Sequence, residues 1–141
     1  MIAIPLPQKA TKWTTLSFAS TLYLCPILDL LLVNIPSELK AEIRLGLQEA
    51  LVNAAKHGNA LDPSKQVIVK FTVEEDQYSW VILDQGDGFT PECQCSHITP
   101  ELPPEESESG RGLCILHQIF DTVHWNAKGT QLRLAKRLKK I

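Results

Sequence analysis

The stretch from Ser37 to Gly58 constrains the fold more than any other part of the chain. It is long, helical in pattern, and polar only along a stripe. At about 100° per residue, Ile43, Leu47, Ala50, Leu51 and Ala54 share one apolar face, and Leu45 and Val52 a second, narrower one. Between them run Glu42, Gly46, Glu49 and Asn53. A solvent face is usually broad and rich in Lys and Glu, so a narrow framed stripe suggests the floor of a cleft. The plainer alternative is a partly exposed polar pair on an amphipathic helix. Gly46 leans toward the cleft, because a mid-helix glycine costs about 1 kcal/mol against Ala and often marks a close approach. Glu49, Asn53 and His57 stand at i, i+4 and i+8, and so are expected on one side. A carboxylate one turn before a carboxamide suits a Mg²⁺-phosphate site. Ser37 is the expected N-cap, with Glu38 in the first turn, and Gly58 the expected C′ residue.

The rest of the chain supplies strands. Trp13 to Ser20 is rich in Thr, aromatic and apolar residues and reads as a strand. Pro26 fits the first turn of a helix to about Val33, broken by Asn34-Ile35-Pro36. Val67, Val69, Phe71 and Val73 alternate with polar residues, and Tyr78 to Leu83 follows across the short connection Glu75-Asp76-Gln77. That is a hairpin pattern. Residues 90–109 carry Pro91, Pro100, Pro103, Pro104 and five glutamates with little periodicity, and read as a loop or lid. Gly112 to Phe120 is a short helix with Leu113, Leu116 and Ile119 or Phe120 inward. Thr122 to Trp125 and Gln131 to Leu138 are the last strands. The order β-α-α-β-β-loop-α-β-β predicts an α+β, two-layer sandwich. It has one mixed or antiparallel sheet of about five strands, with three helices on one face.

The chain's 141 residues are one domain by size, 1–141, and 44% hydrophobic content suffices for a core. A charge of −2 favours neither nucleic acid nor membrane as a direct partner. The most apolar run, Leu22 to Ile35, is too short to span a bilayer and holds Pro26, Asp29 and Asn34. No signal peptide is expected, and Cys25, Cys93, Cys95 and Cys114 are few and unevenly spaced. A reduced cytoplasmic protein is the simplest reading. Cys93-x-Cys95-x-His97 lacks the paired spacing of zinc modules, and free thiols are expected there. Lys136, Arg137, Lys139 and Lys140 read as a solvated strand edge or tail.

Two glycine-rich loops follow the long helix. Asp84 ends a strand, where a carboxylate can accept from an exocyclic amine such as that of adenine; Gly86 and Gly88 permit positive φ and close backbone approach to a ligand. Gly110 and Gly112 precede a helix whose N–H groups can hold phosphate oxygens. The P-loop pattern Gly-x-x-x-x-Gly-Lys-Ser/Thr is absent from the sequence, as is a dinucleotide fingerprint. His57 is read as supporting the site or the helix end.

Taken together, Glu49-x-x-x-Asn53, Asp84-x-Gly86-x-Gly88-Phe89, Gly110-Arg111-Gly112-Leu113 and Gly129-Thr130 resemble the boxes of a known ATP-binding domain. It is the one shared by gyrase, the heat-shock chaperone, histidine kinases and MutL. The resemblance covers roughly residues 38–138. The form with Asn53-Ala54-x-x-His57-Gly58 is most similar to bacterial anti-sigma serine/threonine protein kinases. None of the four histidines sits in the helical hairpin of a histidine kinase. The resemblance implies ATP bound with Mg²⁺ through Asn53, Glu49 as general base, and Asp84 reading adenine. It places His57, Gly86, Gly88, Phe89, Gly110, Arg111, Gly112, Leu113 and Thr130 around the nucleotide, under a lid at 90–109. It implies an anti-sigma-factor antagonist as protein substrate, a sigma factor as second partner, and a homodimer. Glu108, an acid beside the second glycine box, and the acidic lid motivate the alternative: a nucleotide-gated binding protein without phosphotransfer.

Overall fold

The computed structural model describes residues 12–74, 76–87 and 114–137. Five strands form one sheet: β1 (Thr14–Ala19), β2 (Gln66–Glu74), β3 (Gln77–Leu83), β4 (Thr122–Trp125) and β5 (Gln131–Arg137). Their spatial order is β1-β2-β3-β5-β4, and every neighbouring pair is antiparallel. Helix α1 (Cys25–Leu31) and helix α2 (Ser37–Val52) lie between β1 and β2 in the chain. Helix α3 is described over 114–119. The expected fold class and element order hold, with the sheet wholly antiparallel.

Register explains which side of the sheet is packed. Leu16, Val69, Ile82, Leu132 and Trp125 are aligned across all five strands, and Phe71, Trp80, Leu134 and Val123 form the next row. With period-2 alternation these rows share one face. They belong to the same core as Leu28, Ile43, Leu47, Leu51, Leu116 and Phe120 from the helices. Trp80 is the largest fully buried side chain; it stacks on Tyr78 and meets Phe120 edge-on at 5.5 Å between ring centroids. Tyr78 donates its hydroxyl to the Asn34 carbonyl at 3.1 Å, tying β3 to the α1–α2 link.

Three local expectations need correction. Pro36, not Ser37, occupies the N-cap, and its carbonyl accepts the Leu39 N–H at 2.9 Å. Ser37 is already helical and makes no cap bond, because the fixed proline φ gives the entry turn its shape. The α-helix also ends at Val52, and Asn53–Gly58 is a π-helical turn. Asn59 N–H reaches the Ala54 carbonyl, five residues back, at 2.9 Å. The extra residue moves the chain reversal past Gly58. Ala60 (φ 53°) and Leu61 (φ 56°) take the left-handed conformation instead, and Leu61 N–H closes onto the Ala55 carbonyl at 2.8 Å. The third concerns the apolar frame. Ile43, Leu47, Ala50, Leu51 and Ala54 are buried as expected, but of the second face only Val52 packs partly against the core, while Leu45 is 45% exposed.

Gly46 has a packing reason. A Cβ there would meet the ring of Phe120 at 2.5 and 2.9 Å and Ile119 Cδ1 at 3.3 Å. The glycine lets α3 lie directly on α2. Lys136 closes the same junction from β5: its ammonium donates to the Ile119 carbonyl at 2.7 Å and pairs with Glu42 at 3.2 Å. It thus satisfies an orphan carbonyl at the end of α3. That side chain is only 16% exposed, unlike the solvated edge expected of it.

Candidate nucleotide-binding site

Glu49 lies in the last turns of α2, and Asn53 opens the π-helical turn. Both are half-buried. Among the described residues, neither the Glu49 carboxylate nor the Asn53 amide has a hydrogen bond or ion pair. A half-buried carboxylate and amide left open in this way are available to a ligand. π-Helical turns are rare and often occur at functional sites. His57 lies in the same turn and is exposed. The widened turn does not follow the α-helical step on which a shared side for all three residues was expected.

The far end of the turn meets the first glycine loop. A Cβ on Gly58 would collide with the Asp84 carboxylate, with Oδ1 at 2.9 Å. A Cβ on Gly86 would run into the Gly58 carbonyl, whose carbon is at 2.6 Å, and would crowd Asp84 Oδ1 at 3.2 Å. Gly58, Asp84 and Gly86 are therefore stacked with no room for a methyl group. Gly86 makes room for the Gly58 carbonyl, and it does so without the positive φ expected of it. Its N–H donates to Asp84 Oδ1 at 2.9 Å. Burial pushes the Asp84 carboxyl above its ordinary pKa, opposed by that N–H and by Lys65.

Thr130 stands beside them. Its carbonyl accepts the Asp84 N–H at 3.0 Å, joining the start of β5 to the end of β3. The turn before it is built by Asn126, whose Oδ1 accepts the N–H groups of Thr130 and Gln131 at 2.9 and 3.1 Å. Gly129 closes the turn with φ 75°. Thus Asp84, Gly86 and Thr130 come together with Gly58, at the end of the turn that begins at Asn53. Gly88, Phe89, Gly110, Arg111, Gly112, Leu113, the 90–109 lid and Cys93-x-Cys95-x-His97 lie outside the described residues.

Among the described residues no group of three or more His, Cys, Asp or Glu could hold a metal ion. A Mg²⁺ carried on nucleotide phosphates needs only one or two protein oxygens, and the open Asn53 amide with Glu49 nearby in sequence fits that chemistry. Cys25 is a free, exposed thiol, but Cys114 is disulfide-bonded. The reading of reduced cysteines throughout fails there, because spacing along the chain carries no signal of which thiols meet in space. No helix of the described residues is long and apolar enough to cross a membrane.

The sequence reading missed Asn59, which is fully buried at the end of the turn. Its side chain joins β1, β2 and the Asp84 loop. No periodicity marks a single buried amide after a helix.

The family model of the histidine kinase-like ATPase domain matches residues 28–136, well over half the chain. The chain belongs to that family. The serine-protein kinase RsbW of Bacillus subtilis (strain 168) is 28% identical over 102 residues, covering 69% of this chain and 64% of that protein. RsbW of Bacillus licheniformis is 32% identical over 88 residues, covering 59% and 55%. The anti-sigma F factor of Clostridium perfringens (strain SM101 / Type A) is 28% identical over 100 residues, covering 69% and 71%. The match thus spans less than two thirds of the length of either kinase.

Proposed function

We propose that the chain is an ATP-dependent serine/threonine protein kinase. It would act as a partner-switching regulator that phosphorylates an anti-sigma-factor antagonist and sequesters a sigma factor. The observation that carries this reading is the open, half-buried pair Glu49 and Asn53 on a histidine kinase-like ATPase scaffold. The similarity to serine-protein kinases and an anti-sigma factor supports the choice of substrate and partner. A homodimer in the cytoplasm, binding neither nucleic acid nor membrane directly, belongs to the same proposal.

Asp84 accepts from the adenine amine, and Gly86 and Thr130 line the base. Gly88, Phe89, Gly110, Arg111, Gly112 and Leu113 surround the nucleotide, with His57 supporting the turn. Asn53 contributes its amide oxygen to Mg²⁺, which neutralises phosphate charge when bound. Glu49 takes the proton of the substrate hydroxyl as its oxygen forms a bond to the γ-phosphorus; the bond to the bridging oxygen breaks and ADP leaves. Positioning and charge supply most of the rate, and the base contributes about 10²–10⁴-fold.

The test is transfer of labelled phosphate from ATP to a cognate antagonist, with Glu49→Ala as control. A folded, nucleotide-loaded protein that transfers nothing would sink the kinase reading. Glu108 and the acidic 90–109 segment favour a second reading, a nucleotide-gated binder without chemistry. It requires tight ATP binding with ATP intact after long incubation, and turnover abolished by Glu49→Ala excludes it.

A further inference from the structure

We propose that Asn59 is a positioning residue that sets the base selectivity of this site by fixing the backbone on which Asp84 stands. The inference rests on the reading of Asp84 as the adenine acceptor. Asn59 is 0% exposed, and its amide is used on both sides. Oδ1 accepts the Gln85 N–H at 2.7 Å. Nδ2 donates to Ser20 Oγ at 2.9 Å and to the Gln66 carbonyl at 3.0 Å. One side chain therefore ties the end of β1, the start of β2 and the residue after Asp84.

The surrounding bonds make the arrangement a clamp. The Gln85 side chain returns to β2, with Oε1 accepting the Gln66 N–H at 2.7 Å. Ser20 Oγ donates onward to the Lys65 carbonyl at 2.8 Å. Asp84 is thus bracketed: its own N–H is held by Thr130, and the next N–H by Asn59. Gly58, directly before Asn59, packs on the Asp84 carboxylate itself. The chemistry calls for one acceptor and two donors at short reach, which asparagine supplies and aspartate does not.

The backbone is strained to deliver it. Ala60 and Leu61, the two residues after Asn59, are both left-handed without being glycine. Such conformations cost free energy and persist only where the surroundings over-determine them. A strained turn that places a fully bonded amide against the loop of a ligand-reading carboxylate points to a role at that carboxylate.

Base recognition depends on Asp84 meeting one amine at hydrogen-bond distance, whereas triphosphate contacts come from other segments. Loosening the clamp therefore removes discrimination before it removes binding. The experiment is calorimetry of the full chain with ATP and with inosine triphosphate, which carries a carbonyl in place of the amine. Wild type is expected to prefer ATP by about tenfold to a hundredfold, the range for a hydrogen bond to a charged group. Asn59→Ala is expected to lose most of that ratio while its affinity for inosine triphosphate changes little. Asn59→Asp, which keeps an acceptor for Gln85 but sets a buried carboxylate oxygen against the Gln66 carbonyl, is expected not to restore it. A uniform loss for both nucleotides, or an unchanged ratio, would overturn the proposal. Should Asn59→Ala not fold, Ser20→Ala, which removes the hydroxyl that accepts from Asn59 Nδ2, carries the test, and an unchanged ratio there overturns it. Wild type that fails to bind ATP, or binds both nucleotides alike, overturns the adenine reading itself and this proposal with it.

Discussion

Gly46 and the pair Gly58 and Gly86 are close approaches of different kinds. At Gly46 the neighbour is the edge of a phenylalanine ring, held between α2 and the sheet. At Gly58 it is a carboxylate, and at Gly86 it is the backbone carbonyl of Gly58. The first approach builds the hydrophobic core. The second builds a polar corner where a helix end, a strand end and a loop meet. A ring can tilt and a carboxylate can rotate, but a peptide group moves only with its chain. The rigidity of the neighbour, rather than glycine's place in an element, should therefore rank the effect of adding a methyl group.

Gly86→Ala tests that ranking most severely. Its Cβ would overlap a peptide carbonyl on the π-helical turn, and no rotamer relieves the overlap. The expected cost is about 3 kcal/mol, the upper end of ordinary overpacking, together with loss of ATP binding. Denaturant unfolding with calorimetry measures both. A cost below that of Gly46→Ala would break the comparison.

Gly58→Ala comes next. Its Cβ would meet the Asp84 carboxylate, which can turn away only by giving up the Gly86 N–H. A stability loss of about 1–2 kcal/mol is expected from overpacking, with a larger effect on function, since the displaced group is the proposed base reader. The measurement is ATP affinity against melting temperature. A variant that binds ATP as well as wild type would show that the stacking does not set the position of Asp84.

Much of this was legible in the sequence, and the limits are instructive. Period-2 alternation in 67–73 and 78–83 gave the central hairpin, because a sheet packed on one face must alternate. The apolar residues of α2 gave its buried face. Asp84 and Gly86 were singled out, and the structure puts them together with Gly58. What stayed hidden depends on contacts made across the chain. Gly46 read as the marker of a cleft, yet Phe120 fills the space above it. Gly58 read as a left-handed cap, but the π-helical turn inserts a residue, which no propensity scale registers. Asn59 went unnoticed because hydrogen bonds to Ser20, Gln66 and Gln85 leave no local trace.

Gly46→Ala should have a smaller effect. Alanine gains about 1 kcal/mol of helix propensity over glycine, while crowding Phe120 and Ile119 costs about 1–3 kcal/mol. A net loss of about 1 kcal/mol is expected, with ATP affinity unchanged. Phe120→Leu, itself destabilising, should make Gly46→Ala neutral or favourable in the double variant, because the ring edge is gone. Additive losses in that cycle would place the strain elsewhere.

The smallest effect is expected from Asp84→Asn, and its sign is informative. Burial raises the Asp84 pKa from 3.8, outweighing the opposing Gly86 N–H and Lys65. The folded chain therefore holds this proton more tightly than the unfolded chain does. As pH rises through 3.8 toward the folded value, native protein retains more protons than unfolded protein, and stability falls. Above the folded value the whole penalty of a partly buried charge is present. Asparagine keeps an oxygen for the Gly86 N–H but never ionises. Without nucleotide, Asp84→Asn should match wild type at pH below 3.8 and melt slightly higher at neutral pH, while ATP affinity drops. Melting curves across pH check this. A difference that does not change with pH would mean that the fold favours neither protonation state of Asp84, and wild type melting higher than the variant at neutral pH would mean that the polar corner around Gly58 stabilises the ionised carboxylate.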